Sequence, residues 1–341
     1  MPEPRFLVVR LGSLGDIIHT FPAVAALRES FPSAHIVWLT HPRWEFLVQR
    51  SRLASEVWTV ETRALSSLQE IVRRLRQNSW TAAIDYQGLW KSAMLPFFGG
   101  ATRRIGFSSA TIREFGVPVL YTQRVKTSKA HIAEQNGDLS LRAGAQRGTA
   151  PASLQIPEED QAAVCSRLRE QALDRYVVLS PGGGWRSKCW PADRFGALCR
   201  KLRESLGLSC VVNAGPGDDD LAAALLNASG DAGPFVYRSN LGELMALLRG
   251  AACVVAGDTG PLHLAAALGT STVALFGPTD PARNGPYRGG EAQANEHKDI
   301  VLRAPGVRTT HKRGSQPHPS MLALSVDQVF DAVCRCIGAA R

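Results

Sequence analysis

Several things are scarce in this chain. Aromatic residues supply only 7% of its 341 positions, and methionine appears four times. No uninterrupted apolar run reaches the roughly 18 residues that a membrane-spanning helix needs. The seven cysteines are odd in number and scattered. Cys165, Cys189, Cys199, Cys210 and Cys253 fall in apolar or helical segments, and Cys334 and Cys336 stand too close together for an ordinary metal pair. No Cys/His cluster has zinc spacing, so a disulfide scaffold and a zinc module are both excluded and reduced thiols are expected. No signal peptide is expected, because Met-Pro-Glu-Pro leads directly into an apolar strand, and the expected location is the cytoplasm. Acidic residues are in deficit: 30 stand against 39 Lys and Arg, for a formal net charge of +9.

That balance favours anionic partners. Lys91, Arg103, Arg104, Arg113, Arg124, Lys126, Lys129 and His131 concentrate in the second part of the N-terminal half. No basic heptad region, zinc finger or aromatic RNA-binding signature accompanies them, so nucleic acid is not the expected partner.

Apolar strand-like runs alternate with helical stretches along the whole chain. The expected strands are residues 6–9, 36–39, 57–60, 82–84, 117–120, 176–179, 210–213, 252–255 and 272–276. Such alternation implies parallel sheets covered by helices. A small, polar, Pro- and Gly-bearing stretch over 144–157 reads as a linker. The expectation is an α/β protein of two Rossmann-like domains, 1–150 and 151–324, with a closing helix in 325–341 capped by Ser325.

The most informative stretch is Gly257-Asp258-Thr259-Gly260-Pro261-Leu262-His263, which follows the buried run Val254-Val255-Ala256. It reads as a strand that turns at once into a helix. Pro261 suits the first helical turn, where a missing N–H costs nothing. The free N–H groups of such a helix start form an anion site, and phosphate or diphosphate is its natural guest. A similar opening lies at the other end of the chain. The strand at 6–9 passes through Leu11-Gly12-Ser13-Leu14-Gly15-Asp16 into apolar residues at helical spacing over 17–28. Asp16 thus sits where α/β proteins place ligands, and where a helix cap would also sit. A dinucleotide fingerprint is disfavoured: a third glycine is missing, and the strand at 36–39 ends at Thr40 without an acid for a ribose. Pro181-Gly182-Gly183-Gly184-Trp185 follows a further strand and offers N–H groups to phosphate, with Lys188 and Arg186 as cations for a departing diphosphate. Asn213 to Asp218 closes another strand with an acid that could reach ribose hydroxyls.

Taken together, Arg10 to Asp16, Asp85 to Ser92 (Asp-Tyr-Gln-Gly-Leu-Trp-Lys-Ser), Lys188 to Pro191, Gly257 to His263 and Leu275 to Pro281 resemble the ADP-heptose:lipopolysaccharide heptosyltransferases of glycosyltransferase family 9. The Gln87 to Ser92 segment and His131 to Gln135 are most similar to the branch that adds the first heptose to Kdo of the inner core. The resemblance implies a GT-B fold with a central cleft, an inverting reaction, and neither metal nor cofactor. It implies Asp16 as general base on the acceptor hydroxyl. Gly183, Gly184, Lys188, Asp258, Thr259, Gly260 and His263 would bind the ADP-sugar donor. Ser13, Gly15, Lys91, Arg113 and Lys129 would bind an anionic acceptor of the lipid A–Kdo type, and Arg103 and Lys126 would extend that basic bay. It leaves room for peripheral contact with the cytoplasmic face of the inner membrane. A Thr-Thr pair of the family corresponds here to Gly183-Gly184, so backbone N–H groups would take over those contacts. The ribose acid falls near Gly217, beside Asp218. The family's loop cysteines are absent from 309–320, where His311, Lys312, Arg313 and His318 stand. The chain is read as lacking an Asp-x-Asp element. Other readings stay open: a transferase of the same family with another donor or acceptor, a nucleotide-sugar-binding protein without turnover, a dehydrogenase, or a DNA-binding basic face.

Overall fold

The computed structural model describes residues 3–112, 114–215, 217–289, 299–310 and 312–338. Two compact units meet in sequence between Gln155 and Ile156. Each is a parallel sheet clothed by helices.

The first unit runs β1 (Arg5–Val9), α1 (Leu14–Ile18), α2 (Phe21–Ser30), β2 (His35–Thr40), α3 (Glu45–Ser51), β3 (Glu56–Thr59), α4 (Leu65–Arg76), β4 (Ala82–Asp85), α5 (Trp90–Phe98), β5 (Arg104–Phe107), β6 (Gln123–Val125) and α6 (Ile132–Ala143). The sheet order is β3-β2-β1-β4-β5-β6, with every pair parallel. Leu7 of β1 lies level with Val37 of β2 and Ala83 of β4. Leu7, Val9, Val37 and Leu39 pack with Ile71 and Leu75 of α4 and Leu95 of α5. Ser140 of α6 is anchored by its hydroxyl to the Ala23 carbonyl of α2 and to Tyr86, at 2.7 and 2.8 Å. With helices on both faces, the central strands are apolar without alternation, which is why they could be read directly.

The second unit runs α7 (Glu158–Glu170), β7 (Tyr176–Ser180), α8 (Ala192–Leu206), β8 (Ser209–Asn213), α9 (Asp219–Ser229), β9 (Phe235–Tyr237), α10 (Leu241–Gly250), β10 (Cys253–Gly257), α11 (Gly260–Ala267), β11 (Thr272–Phe276), α12 (Pro281–Asn284), β12 (Asp299–Arg303), α13 (Pro319–Leu322) and α14 (Val326–Ile337). Its order is β12-β11-β10-β7-β8-β9, again all parallel. Val177, Leu179, Val255, Val273 and Leu275 pack against α8 and α14. Ser325 and Gln328 exchange side-chain and backbone hydrogen bonds at the start of α14, as a capping box requires.

The structure corrects several expectations. Residues 117–120 are a 3-10 turn, not a strand. Pro118 there has no N–H to give a ladder. Four strands escaped notice. β5 carries Gly106, and β6, β9 and β12 are a three-residue, a three-residue and a partly polar strand near or at the sheet edges. The single helix expected over 17–28 is two, broken at His19 and Thr20 just before Pro22 at the second position of α2.

Gly106 illustrates how tight this core is. A Cβ there would lie 2.3 Å from the Tyr121 ring, and that ring is tethered by its hydroxyl to Asp85 at 2.7 Å. Gly106→Ala is expected to destabilise the protein by about 1–3 kcal/mol through overpacking. Chemical denaturation checks this; an unchanged midpoint would show that the ring is free to move aside.

Candidate active site

In a parallel sheet the strands all point the same way, and ligands settle at their carboxyl ends where the strand order reverses. In the second unit that reversal lies between β7 and β10. The segments leaving these two strands carry the sequence-predicted donor residues and meet each other. Lys188 follows β7 in a 3-10 turn, Arg186–Lys188. Its Nζ pairs with Asp258 Oδ2, just after β10, at 2.6 Å. The other oxygen, Asp258 Oδ1, lies 3.2 Å from His263 Nε2, one turn into α11. The Asp258 side chain is only 6% exposed and that of Lys188 16%. Burial alone would raise the Asp258 carboxyl, but the His263 imidazole and the Lys188 ammonium outweigh it and hold the group well below the usual carboxylate range.

Glycine makes this meeting possible. A Cβ on Gly257 would lie 2.8 Å from the Lys188 carbonyl oxygen. A Cβ on Gly183 would press on Thr259 Cγ2 at 3.1 Å, whereas Gly184 faces open space. Thr259 occupies the position before α11 in extended backbone, with its hydroxyl donating to the Gly257 carbonyl, and Gly260 and Pro261 begin the helix. Its first N–H groups are therefore turned toward the same end as Lys188.

Two groups that sequence reasoning gave little weight complete this face. The Lys188 ammonium stands over the Trp185 ring at 4.5 Å, and the Arg313 guanidinium lies over the same indole at 5.2 Å. The basic loop reaches this point because the Gly314 N–H donates to the Ser187 hydroxyl and the His318 N–H to the Ser187 carbonyl. The cue in sequence was a tryptophan amid glycines, paired with a distant basic loop. His263 is buried against Asp258 and is not presented outward. Asp218 accepts the Gly215 N–H at 3.1 Å and packs on Gly182, and burial raises its carboxyl above the ordinary range. Asp218 to Asp220 does satisfy an Asp-x-Asp spacing, which corrects the reading of the chain as lacking one. Asp219 and Asp220 lie in the first turn of α9, and Asp219 pairs with Arg238. Among the described residues, no group of three or more His, Cys, Asp or Glu side chains is placed to hold a metal ion.

In the first unit the reversal lies between β1 and β4. Asp16 is here, in the first turn of α1. Ser13, and not Asp16, occupies the cap position; Asp16 Oδ2 accepts from the Ser13 N–H at 3.0 Å and from its hydroxyl at 3.1 Å. Asp16 Oδ1 pairs with Arg10 Nη2 at 2.6 Å. Arg10, a buried cation at the end of β1, also donates to the Tyr86 carbonyl beyond β4. Sequence alone assigns Arg10 no role, although an arginine ending a buried strand is the available signal. The β4 loop is knotted by Asp85, whose carboxylate accepts from the Gln87 and Gly88 N–H groups and from the Ser92 and Tyr121 hydroxyls at 2.7–3.1 Å. Burial pushes its carboxyl up, against the pull of those donors.

Lys91 is exposed on the first turn of α5, directly after that knot. Lys129 is exposed in the loop before α6, and His131 of that loop packs edge-on against His19, one turn beyond Asp16, with ring centroids 5.2 Å apart. Gly15 and Ser13 lie in the Asp16 turn itself. Lys126 follows β6, at the same end of the sheet. Arg103 does not belong with them. It precedes β5, at the opposite end of the strands, and its guanidinium donates to the Arg142 carbonyl. Arg113 and His311 lie outside the described residues.

The sequence profile of glycosyltransferase family 9 (heptosyltransferase) matches residues 68–299. The chain is 29% identical over 324 residues to lipopolysaccharide heptosyltransferase 1 of Pseudomonas aeruginosa, covering 90% of this chain and 87% of that one. Among solved structures, a glycosyl transferase family 9 protein from Veillonella parvula superposes with a TM-score of 0.80 at 22% identity, over 97% of this chain and 96% of that one. E. coli heptosyltransferase WaaC with ADP superposes with a TM-score of 0.76 at 24% identity, over 97% and 99%. The architecture is the GT-B α/β fold of glycosyltransferases. The chain belongs to glycosyltransferase family 9, the heptosyltransferases. Lys188, Asp258 and His263 fall inside the matched stretch, and Asp16 falls before it.

The buried carboxylate generates a prediction. Asp258 is held below its unfolded value, so its stabilisation is complete above about pH 4 and is lost as pH falls further through the folded value. Asp258→Asn is expected to cost about 3 kcal/mol at neutral pH, the low end for removing one member of a buried pair. The gap between variant and wild type should shrink below about pH 4. Urea denaturation at neutral and acid pH measures both; a gap that stays constant would remove the ion pair from the stability of this unit.

Proposed function

We propose that this glycosyltransferase moves a heptose from ADP-heptose to the Kdo of a lipid A-anchored inner core, with inversion and without a metal, at the cytoplasmic face of the inner membrane. The observation that carries the reading is the Lys188–Asp258 ion pair at the strand-order reversal of the second unit. It sets a fixed cation beside the N-terminus of α11 within the stretch matched by the family profile. The similarity to lipopolysaccharide heptosyltransferase 1 along nine-tenths of the chain supports the substrate pair.

In this reading the second unit holds the donor. Lys188 and the first N–H groups of α11 take the diphosphate, and Gly183 and Gly184 offer backbone N–H groups to it. Asp258 and His263 act through Lys188 by fixing its ammonium. The first unit holds the acceptor, with Lys91, Lys129 and Arg113 meeting its acidic groups. Asp16 takes the proton of the acceptor hydroxyl as that oxygen bonds to the anomeric carbon. The bond from that carbon to the phosphate oxygen breaks, and ADP leaves with its new charge stabilised by Lys188 and the helix start. Arg10 and Ser13 orient the Asp16 carboxylate for this work.

Incubation with ADP-heptose and Kdo-lipid A in detergent, with EDTA present, tests the reading. A mass gain of one heptose on the acceptor is expected. Transfer only from another nucleotide sugar, transfer only to another acceptor, or loss on chelation with rescue by Mg²⁺ would overturn it.

Two sets of variants test the roles. Asp16→Asn is expected to lower kcat by about 10²-fold or more, since general base help is typically worth that much, with ADP affinity unchanged. A near wild-type rate would leave Asp16 only the task of holding the first turn of α1. Lys188→Ala is expected to weaken ADP binding by about 1.5–3 kcal/mol, the worth of a charge-assisted contact. Lys91→Ala should leave ADP binding intact and raise KM for the acceptor. Calorimetric titration with ADP decides between them; the opposite pattern would exchange the roles of the two units.

A further inference from the structure

Large apolar side chains are unevenly exposed on this protein. Among the described residues, six of the eleven that stand out from the surface lie in one region of the first unit. Trp90, Met94, Phe97 and Phe98 recur at helical spacing along α5, so they share its outward stripe. Phe115 is fully exposed, and Val119 is 65% exposed. These groups are contiguous. The Trp90 indole N–H donates to the Phe115 carbonyl at 3.2 Å, and the Trp90 ring borders Gly116. The Phe97 and Phe98 rings lie edge to face at 5.3 Å. Beneath the stripe is a small core of its own, Ala93, Val117, Leu120 and Tyr121. The turn that replaces the expected strand over 117–120 is therefore a platform that lifts Phe115 and Val119 outward.

The rim of this patch is cationic. Between residues 90 and 129 there are seven Lys and Arg and one acid, Glu114. Glu114 is occupied in accepting the Trp90 backbone N–H at 2.7 Å. Lys91 projects beside Trp90, Arg76 donates to the Phe98 carbonyl, Arg104 lies over the Phe97 ring at 5.2 Å, and Arg124 donates to the Pro118 carbonyl. The guanidiniums are thus held at the edge of the aromatic surface. Exposed aromatics within a basic margin match a bilayer interface with anionic headgroups, where rings settle at the headgroup level and each nearby cation adds attraction.

We propose that the outer face of α5, with Phe115 and Val119, docks onto an anionic lipid surface, its aromatic side chains entering the interface and its basic rim meeting the headgroups. The inference rests on the reading of the acceptor as lipid-anchored. The patch begins at Trp90, next to Lys91 on the turn that follows the Asp85 knot, so docking there would bring a membrane-held acceptor to the end of the sheet that carries Asp16.

Vesicle flotation of the full chain tests it without any sugar chemistry. The wild type should float with phosphatidylcholine vesicles that contain phosphatidylglycerol, float poorly with phosphatidylcholine alone, and be released by salt. Phe98→Ser with Phe115→Ser should weaken flotation by about tenfold or more, because two large apolar side chains no longer leave water. Both side chains are exposed, and an unchanged ADP-induced rise in melting temperature confirms that the variant is folded. The variant should transfer sugar normally to acceptor in detergent and poorly to acceptor in vesicles. Quenching of Trp fluorescence by brominated lipid should fall sharply in Trp90→Phe. Wild type that ignores anionic vesicles, a double variant that floats as well as wild type, quenching that survives Trp90→Phe, or a patch that instead drives self-association abolished by the double variant would each overturn the proposal. Flotation that behaves as expected while heptose transfer fails would leave this surface standing and remove the substrate assignment.

Discussion

The structure rests on one constraint: every strand in both sheets runs the same way. Parallel strands need crossovers, the crossovers are helices, and the helices bury both faces of each sheet. All chain reversals that leave the strands' carboxyl ends then collect along one edge. Polar chemistry has little choice of place, because the sheet faces are filled with residues such as Leu7, Val9, Val255 and Leu275. The two reversals of strand order, β1 against β4 and β10 against β7, become the natural openings in those edges.

Each opening is closed by an ion pair, and the two pairs differ in kind. Lys188–Asp258 is buried, with both carboxylate oxygens engaged by Lys188 and His263. A charge removed from water to that degree holds its partners in one geometry, and removing any partner leaves the others uncompensated. Arg10–Asp16 is asymmetric: the cation is buried and the carboxylate is 44% exposed. Its buried member is locked to the β4 loop through Tyr86, while its exposed member faces solvent from the first turn of α1. A fixed cation with a presented acid is an arrangement suited to handling a proton. In the second unit acid and cation are both withdrawn from water, with 6% and 16% of their side chains exposed. The two units thus share a framework and differ in how much of the pair each leaves in solvent.

Much of this was legible in the sequence, for a physical reason. Central strands buried on both faces are written as apolar runs, so β1, β2, β4, β7, β8, β10 and β11 could be found by inspection. The turns after β1 and β10 carry glycines, with Pro261 following in the second, and these marked Asp16 and Asp258. What could not be read were elements whose stability comes from neighbours. β6, β9 and β12 satisfy only one side of a ladder and need few apolar residues, and β5 contains a glycine whose place is set by the Tyr121 ring. The same holds for side chains. Arg103 looked like part of a basic bay because it is near Lys91 in sequence, yet α5 carries the chain from one end of the sheet to the other between them. Trp185 and Arg313 are far apart in sequence and stack only because Ser187 anchors the later loop.

Asp85 shows how the first unit's site is organised from below. Its carboxylate is fully buried, and burial favours its protonated form. Four donors from the β4 loop and Tyr121 oppose that tendency, and in doing so they fix Gln87 and Ser92. Gln87 then accepts the Leu11 N–H at 2.7 Å, and the Tyr86 carbonyl takes Arg10. The position of Asp16 is therefore set by a chain of contacts that begins on a neighbouring strand and includes Tyr121, which follows the turn over 117–120. That turn also raises Phe115 and Val119 to the surface. One short segment thus braces the carboxylate knot on its inner side and forms the apolar patch on its outer side, so the orientation of Asp16 and the exposed aromatic face are consequences of the same local packing.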